Sequence, residues 1–318
     1  KLLDKMVRLV KPKDLIETIG LTRHITHPYL PQDYKRDTGP YTVEQVVHIE
    51  ASWHHSKGKG VVEETQFIES LAFGADTVKL GGIVATADPR DRNFKKILKL
   101  HHKASPHFRG IRKMASFHED KAIHAWTDEP QLYRNKKFLK GFEVLSQYNL
   151  SFDAWVYSTQ LEDVIYLAKQ FPETSIVLDH LGTPAGLFGP IGANTGMTQT
   201  ARENIFFRWK DDLAELASCP NVYTKMSGLF MPVLGHRFHK EGRLASKQEV
   251  FDLAHPMITH ALACFGTYRV MFASNFPMDS VSTSLVNIID AFSDVVAAYD
   301  PDALERVFHH NAKQFYRL

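Results

Sequence analysis

The chain has 318 residues, 44% hydrophobic and 23% charged, with a formal net charge of +2. That composition supplies a large core and excludes a disordered or fibrous chain, and its interspersed acids and bases leave no footprint for nucleic acid or a membrane surface. No apolar run approaches the ~20 residues of a membrane span, and the two cysteines, Cys219 and Cys264, lie beside apolar helical runs, which predicts buried thiols in a reduced, cytoplasmic setting.

Lys1–Ile19 reads as basic and partly helical, and Leu21–Tyr34 as loop. Val43–Glu50 is the first convincing strand, ending in His48 and Glu50, which a period of two places on one face. A polar loop, Ala51–Val61, carries Trp53, His54 and His55. The spacing then predicts a helix over Glu63–Gly74 with Phe67, Ile68, Leu71 and Ala72 in one stripe. Val78–Ala85 is a strand, Asp91–Lys103 a helix, Gly110–Ser116 a strand and Lys136–Tyr148 a helix. Ser151–Tyr157 alternates: Phe152, Ala154 and Val156 share one face, Asp153, Trp155 and Tyr157 the other. Gln160–Phe171 is a helix. Ser175–Leu178 is a short β-branched run, the mark of a strand buried on both faces, and it stops at Asp179 and His180. Ile205–Ala217 is a helix, Val222–Ser227 a strand, Lys247–Phe265 a helix, Arg269–Phe272 a strand, Leu285–Ala298 a helix and Ala303–Phe315 a closing helical segment.

Strand followed by helix, about seven times over, argues for parallel strands with helical crossovers, and the spacing favours one (β/α)8 TIM barrel over 1–318. The count is one strand short, which places the first barrel strand upstream of Lys1. Two connections, 183–204 and 229–246, exceed the ~12–15 residues of a purely connecting loop. Each follows a strand, so each is expected to wall or cover the active face.

In such a barrel the strand ends carry the chemistry. They would bring together His48 and Glu50, Arg112 and His118, Trp155 and Tyr157, Asp179 and His180, Lys225 and Ser227, and Asn275 with Asp279. A basin of imidazoles, cations and a few acids suits general acid–base work on an anionic or polyhydroxylated small molecule. The adjacent pairs His54–His55, His101–His102 and His309–His310 read as poor chelates, the last two as solvated helix residues.

The run Arg269–Asp279, RVMFASNFPMD, resembles the amidohydrolase-related (amidohydrolase 2) family in its lactonase-like branch. So do PYLPQDYKRDTG (Pro28–Gly39), VVHIEASW (Val46–Trp53), RGIR (Arg109–Arg112), TDEP (Thr127–Pro130), LSFDAWVY (Leu150–Tyr157), IVLDHLG (Ile176–Gly182), KMSGL (Lys225–Leu229) and HNAKQFYRL (His310–Leu318), in the family's order. The resemblance implies a TIM barrel that hydrolyses a C–O or C–N bond, with decarboxylases in neighbouring branches. It also implies a His-x-His pair on the first strand, a later histidine matched by His180, and an Asp ending the last strand.

This chain departs from that pattern twice. No His-x-His ends an early strand, and the last-strand acid reads Asn275. An amide is no base and a poor zinc ligand. The resulting expectation is a lactonase opening a small anionic or sugar-derived lactone. His180 and Arg112 would polarise the carbonyl, and Asn275 or Asp279 would orient or activate water. Glu50, His54, Trp155, Tyr157 and Lys225 would line the pocket. One divalent metal such as zinc is optional; if bound, His180 and the upstream pair would hold it. A decarboxylase, or a barrel that only binds its ligand, are the alternatives. Partners are a small-molecule substrate and, as an option, further copies of the chain.

Overall fold

The computed structural model describes residues 7, 10–74 and 76–318. Short helices α1 (Lys13–Ile19), α2 (Arg23–Thr26) and α3 (Pro31–Asp37) lead in, α2 wholly and α3 partly within the stretch expected to be loop. The first residues of the basic segment, and the strand expected before Lys1, lie outside the described residues.

Seven parallel strands follow: β1 (Gln45–Ile49), β2 (Lys79–Thr86), β3 (Phe108–Arg112), β4 (Ser151–Ala154), β5 (Ile176–Leu178), β6 (Val222–Met226) and β7 (Val270–Phe272). Each pairs with its successor, so spatial order equals chain order. Parallel neighbours need a crossover, and a right-handed crossover repeated without reversal curls a sheet instead of fanning it open. The result is a half-barrel of the TIM type. Among the described residues β1 and β7 are its two edges.

The crossovers are α4 (Val62–Glu69), α5 (Phe94–Ala104), α6 (Lys136–Phe142) with α7 (Val144–Gln147), α8 (Leu161–Gln170), α9 (Gln199–Ala217) and α10 (Lys247–Phe265). α11 (Leu285–Tyr299) and α12 (Asn311–Tyr316) complete the chain. Several boundaries follow from caps. α9 starts six residues before the predicted Ile205 because Thr198 accepts a hydrogen bond from Ala201 N at 3.1 Å. α10 runs as predicted, opened by reciprocal Ser246–Glu249 bonds. The single helix expected over Lys136–Tyr148 breaks at Glu143 into α6 and α7.

Period-two alternation sorts the strand residues into two cores. Phe152, Ile176, Leu178 and Val222 face outward into a large cluster with Phe142, Leu167, Leu213 and Ile258 of the helices. Val84, Val177 and Met271 face the concave side, where Phe315 and Tyr316 of α12 pack against them. The chain's end thus fills the barrel interior, as layered side chains do in closed barrels.

Two expectations about burial are corrected. Phe67 stands 41% exposed instead of joining the α4 stripe, because its ring leaves the helix to pack against Trp53. His101 is fully buried, not solvated; Thr65 Oγ1 and Thr86 O, at 2.8 and 3.2 Å, satisfy its ring nitrogens. Cys219 is buried and Cys264 half-buried, both as free thiols. Among the described residues no helix is long and apolar enough to cross a membrane.

Candidate active site

At the carboxyl ends of the strands a line of buried charges crosses the barrel. Arg112, the last residue of β3, donates Nε to Glu50 Oε1 at 2.8 Å, Nη2 to Glu50 O at 2.6 Å and Nη1 to Asp179 Oδ2 at 3.1 Å. Lys225 of β6 donates Nζ to Asp179 Oδ1 at 2.8 Å and to Asp153 Oδ2 at 2.5 Å. Tyr316 OH also donates to Asp153 Oδ2, at 2.8 Å. Thr86 Oγ1 donates to Glu50 Oε2 at 3.0 Å. Signs therefore alternate along Glu50, Arg112, Asp179, Lys225 and Asp153, and each cation is held between two carboxylates.

Burial and neighbours push the two aspartates apart. Burial opposes ionisation of Asp179, but Lys225 and Arg112 outweigh it and hold the carboxyl at about 2. At Asp153 burial wins over Lys225, with Asp179 adding repulsion, and the carboxyl rises to about 6. Asp153 Oδ1 has no hydrogen-bond partner among the described residues.

Above this layer sits His180, held by an unusual backbone. Residues His180, Leu181, Gly182 and Thr183 all have positive φ, at 56°, 50°, 77° and 41°. For L-residues this conformation costs roughly 1–2 kcal/mol each. Tertiary bonds hold the turn: Trp209 Nε1 donates to Leu181 O at 2.7 Å and Trp155 Nε1 to Thr183 Oγ1 at 3.0 Å. Strain retained against that cost marks a position the fold over-determines. His180 Nδ1 shares a 2.8 Å hydrogen bond with Ser227 Oγ, and Trp155 meets its ring edge-on at 5.8 Å. Burial, with Arg112 and Lys225 nearby, lowers its pKa to about 3, so the imidazole is neutral. Nε2 makes no hydrogen bond among the described residues.

Asn275 follows β7 with φ 51° and donates Nδ2 to Asp279 Oδ1 at 2.8 Å, leaving its own Oδ1 unbonded among the described residues. Asp279 is buried, which lifts its carboxyl to about 7 against the opposing help of Asn275 and the N–H groups of Phe230 and Gly228. Gly228 joins the two halves. It has φ +65°, and a Cβ there would lie 2.5 Å from His180 Cγ. Gly228→Ala is therefore expected to displace the imidazole and cost about 1–3 kcal/mol through overpacking. Thermal unfolding would read the loss of stability.

The structure thus brings together Glu50, Arg112, Trp155, Asp179, His180, Lys225, Ser227, Asn275 and Asp279. It does not bring in His54, which is exposed, 3.5 Å from Glu63 and lies tilted between the rings of Trp53 and His55. Nor does Tyr157 join: β4 ends at Ala154, the alternation stops, and the hydroxyl donates to His124 O at 2.8 Å. His48 goes instead to Glu64 of α4, at 3.0 Å. Sequence reasoning passed over Asp153, Thr86 and Tyr316 as site residues. Asp153 carried a signal, as an acid on a strand with both faces buried; Tyr316 carried none, because its role rests on where the C-terminal helix docks.

The two long loops pack on each other over this face. Gly186 N donates to Val233 O at 3.0 Å and Phe188 N to Leu234 O at 2.7 Å. Asp120 clamps the first loop through Ala193 N, Asn194 N and Thr195 Oγ1.

A model of the amidohydrolase family matches residues 35–318. The chain belongs to the amidohydrolase family. It is a hydrolase of that superfamily. This amidohydrolase is 30% identical over 297 residues to the uncharacterized protein y4mH of Sinorhizobium fredii, covering 92% of this chain and 87% of that one. It is 28% identical over 219 residues to L-fucono-1,5-lactonase of Burkholderia ambifaria, covering 67% of this chain and 62% of that one. An amidohydrolase from Burkholderia multivorans, solved with bound zinc, shares the fold with a TM-score of 0.72 at 20% identity, over 92% of this chain and 90% of that one.

Amidohydrolases are typically metal-dependent. Among the described residues, however, no three ligating side chains converge at the rim. Glu50, Asp153 and Asp179 are taken by Arg112 and Lys225, Asp279 is bonded to Asn275, and the last-strand position carries an amide. These residues by themselves do not fit a zinc centre, which takes three or four protein ligands.

Proposed function

We propose that this amidohydrolase is a lactonase whose substrate is an uncharged, sugar-derived lactone. The observation that carries the reading is the pairing state of the rim: its cations are spent, while His180 Nε2 and Asn275 Oδ1 are free to meet a substrate. Arg112 and Lys225 face Glu50, Asp179 and Asp153. Among the described residues of the rim no unpaired cation is left over to neutralise an anionic substrate, which turns the choice away from an anionic lactone. The L-fucono-1,5-lactonase relatives support a sugar lactone.

In the tautomer in which Ser227 Oγ–H donates to Nδ1, His180 carries its proton on Nε2 and can donate it to the lactone carbonyl oxygen as negative charge develops there. Asn275 Oδ1 accepts from the attacking water and orients it. Asp279, with a carboxyl near 7, takes the water's proton and returns it to the ring oxygen as the C–O bond breaks. The products are one carboxylic acid and one hydroxyl on the same molecule.

The pH dependence tests the base. Turnover is expected to rise with pH through about 7 as Asp279 ionises, and Asp279→Asn should remove that inflection along with most activity. Stability should move the other way. A carboxyl raised above its unfolded value stabilises the fold below that value, and this contribution is lost as pH rises through about 7. A screen of aldonolactones and carboxylated lactones, followed by an indicator of acid release, decides the substrate class. Preference for the carboxylated set overturns the uncharged-lactone reading. Tight binding without turnover would instead indicate a barrel that has lost chemistry.

A further inference from the structure

The loop that leaves β1 carries a convergence that the lactonase reading does not use. His54, His55 and Glu63 each present one ligating atom, all within 4.8 Å of one another. His55 Nδ1 lies 2.8 Å and His54 Nε2 3.5 Å from Glu63 Oε2. Ligand atoms around a tetrahedral zinc sit roughly 3.3 Å apart for bonds of about 2.0 Å. The two histidine–Glu63 distances are already close to that spacing.

Adjacent histidines usually point apart, and the sequence reading dismissed this pair for that reason. The backbone overrides the rule here. Ser52 has φ 61°, which turns the chain just before Trp53. The two imidazoles come to lie 4.3 Å apart, centroid to centroid. Gly60 makes room for the second: a Cβ there would lie 2.7 Å from His55 Cβ and 3.0 Å from His55 Cγ. Trp53 borders the cluster, its ring 4.8 Å from that of His54 and its Nε1–H 3.4 Å from Glu63 Oε2.

We propose that His54, His55 and Glu63 form a surface site for a borderline divalent transition metal, of the Zn²⁺, Ni²⁺ and Cu²⁺ class. Two imidazoles and one carboxylate select that class over Ca²⁺ and Mg²⁺, which take oxygen ligands. Exposure of all three side chains leaves water to complete the coordination. The ion would pin the loop over residues 51–61 to the first turn of α4. The next residue, Glu64, accepts from His48 Nε2 and Ala51 N at 3.0 and 2.7 Å, so the pinned loop borders the same end of the barrel as the rim.

Chelator-treated protein titrated with Ni²⁺ tests this, with Trp53 as the reporter. The expected result is saturable quenching of tryptophan emission, complete near one equivalent, with calorimetry giving the same midpoint. Glu63→Gln and His55→Asn should each weaken binding at least tenfold, and Gly60→Ala should do so by displacing the imidazole. Trp53→Phe should keep the calorimetric binding and lose most of the quench. A second surface group, Glu305, His309 and His310, also converges, so His310→Asn is the control and should leave the quench unchanged. Equal Ni²⁺ affinity in the native chain, Glu63→Gln and His55→Asn, all with unaltered unfolding temperatures, overturns the proposal. So does a quench that His310→Asn removes.

Discussion

Lys225→Met is expected to destabilise the protein by about 3–5 kcal/mol at neutral pH, the cost of removing one partner from a buried ion pair. Among the described residues the ammonium is the only cation bonded to Asp153, and it shares Asp179 with Arg112. Without it, Asp153 is buried with Tyr316 as its remaining donor. The pH dependence gives the cause away. Asp179 sits at about 2, below its ordinary value, so its contribution is full above about 4 and is lost as pH falls through about 2. Once Lys225 is gone, Asp153 and Asp179 are pushed up and take protons more readily. The deficit should therefore be largest above pH ~6 and shrink on acidification. Urea unfolding at several pH values measures this, and Lys225→Met combined with Asp153→Asn should recover part of the loss. A deficit that is flat with pH, or below about 1 kcal/mol, would mean that the lysine contributes packing alone.

In the proposed lactonase reaction, His180→Ala is expected to lower kcat at least 100-fold with a smaller change in KM, because the hydrogen bond proposed for it would strengthen only as the carbonyl oxygen gains charge. His180→Gln, which keeps a donor in the same turn, should recover a fraction of that rate. Stability should change far less than in Lys225→Met, since the imidazole is neutral and has one hydrogen bond among the described residues. Equal kcat in the native chain and His180→Ala would exclude His180 from carbonyl activation. Asn275→Asp provides a contrast: it places a second carboxyl 2.8 Å from Asp279 Oδ1, where two like charges cannot both ionise. The pH profile of that variant should split into two inflections if the pair acts on water.

The pattern of apolar and polar residues carried much of this. The run Ile176–Leu178 is buried on both sides, as its β-branched content requires, and the acid and imidazole after it stand at the strand's carboxyl end. α10 was legible as a helix over Lys247–Phe265, and the (β/α) order from alternation alone. Legibility ended where a strand ended. Tyr157 was assigned to the site by extending the alternation of β4 past Ala154, and the chain had already left the sheet. His54 and His101 failed for a related reason: local sequence does not say what a side chain will meet across the molecule.

What the sequence by itself determined is local and periodic: which segments pair as parallel strands, which face of each is apolar, and which polar groups end them. The tertiary structure alone decided how those groups are used. Arg112 and Asp179 are 67 residues apart, Lys225 and Asp153 72, Tyr316 and Asp153 163. Whether a buried cation meets a substrate or a carboxylate of its own chain depends on such distances closing, and closure is set by the curl of the whole sheet. A charge in the interior takes the strongest partner within reach. The curl puts carboxylates there, so the cations serve the fold, and the groups above them are the ones proposed for the chemistry.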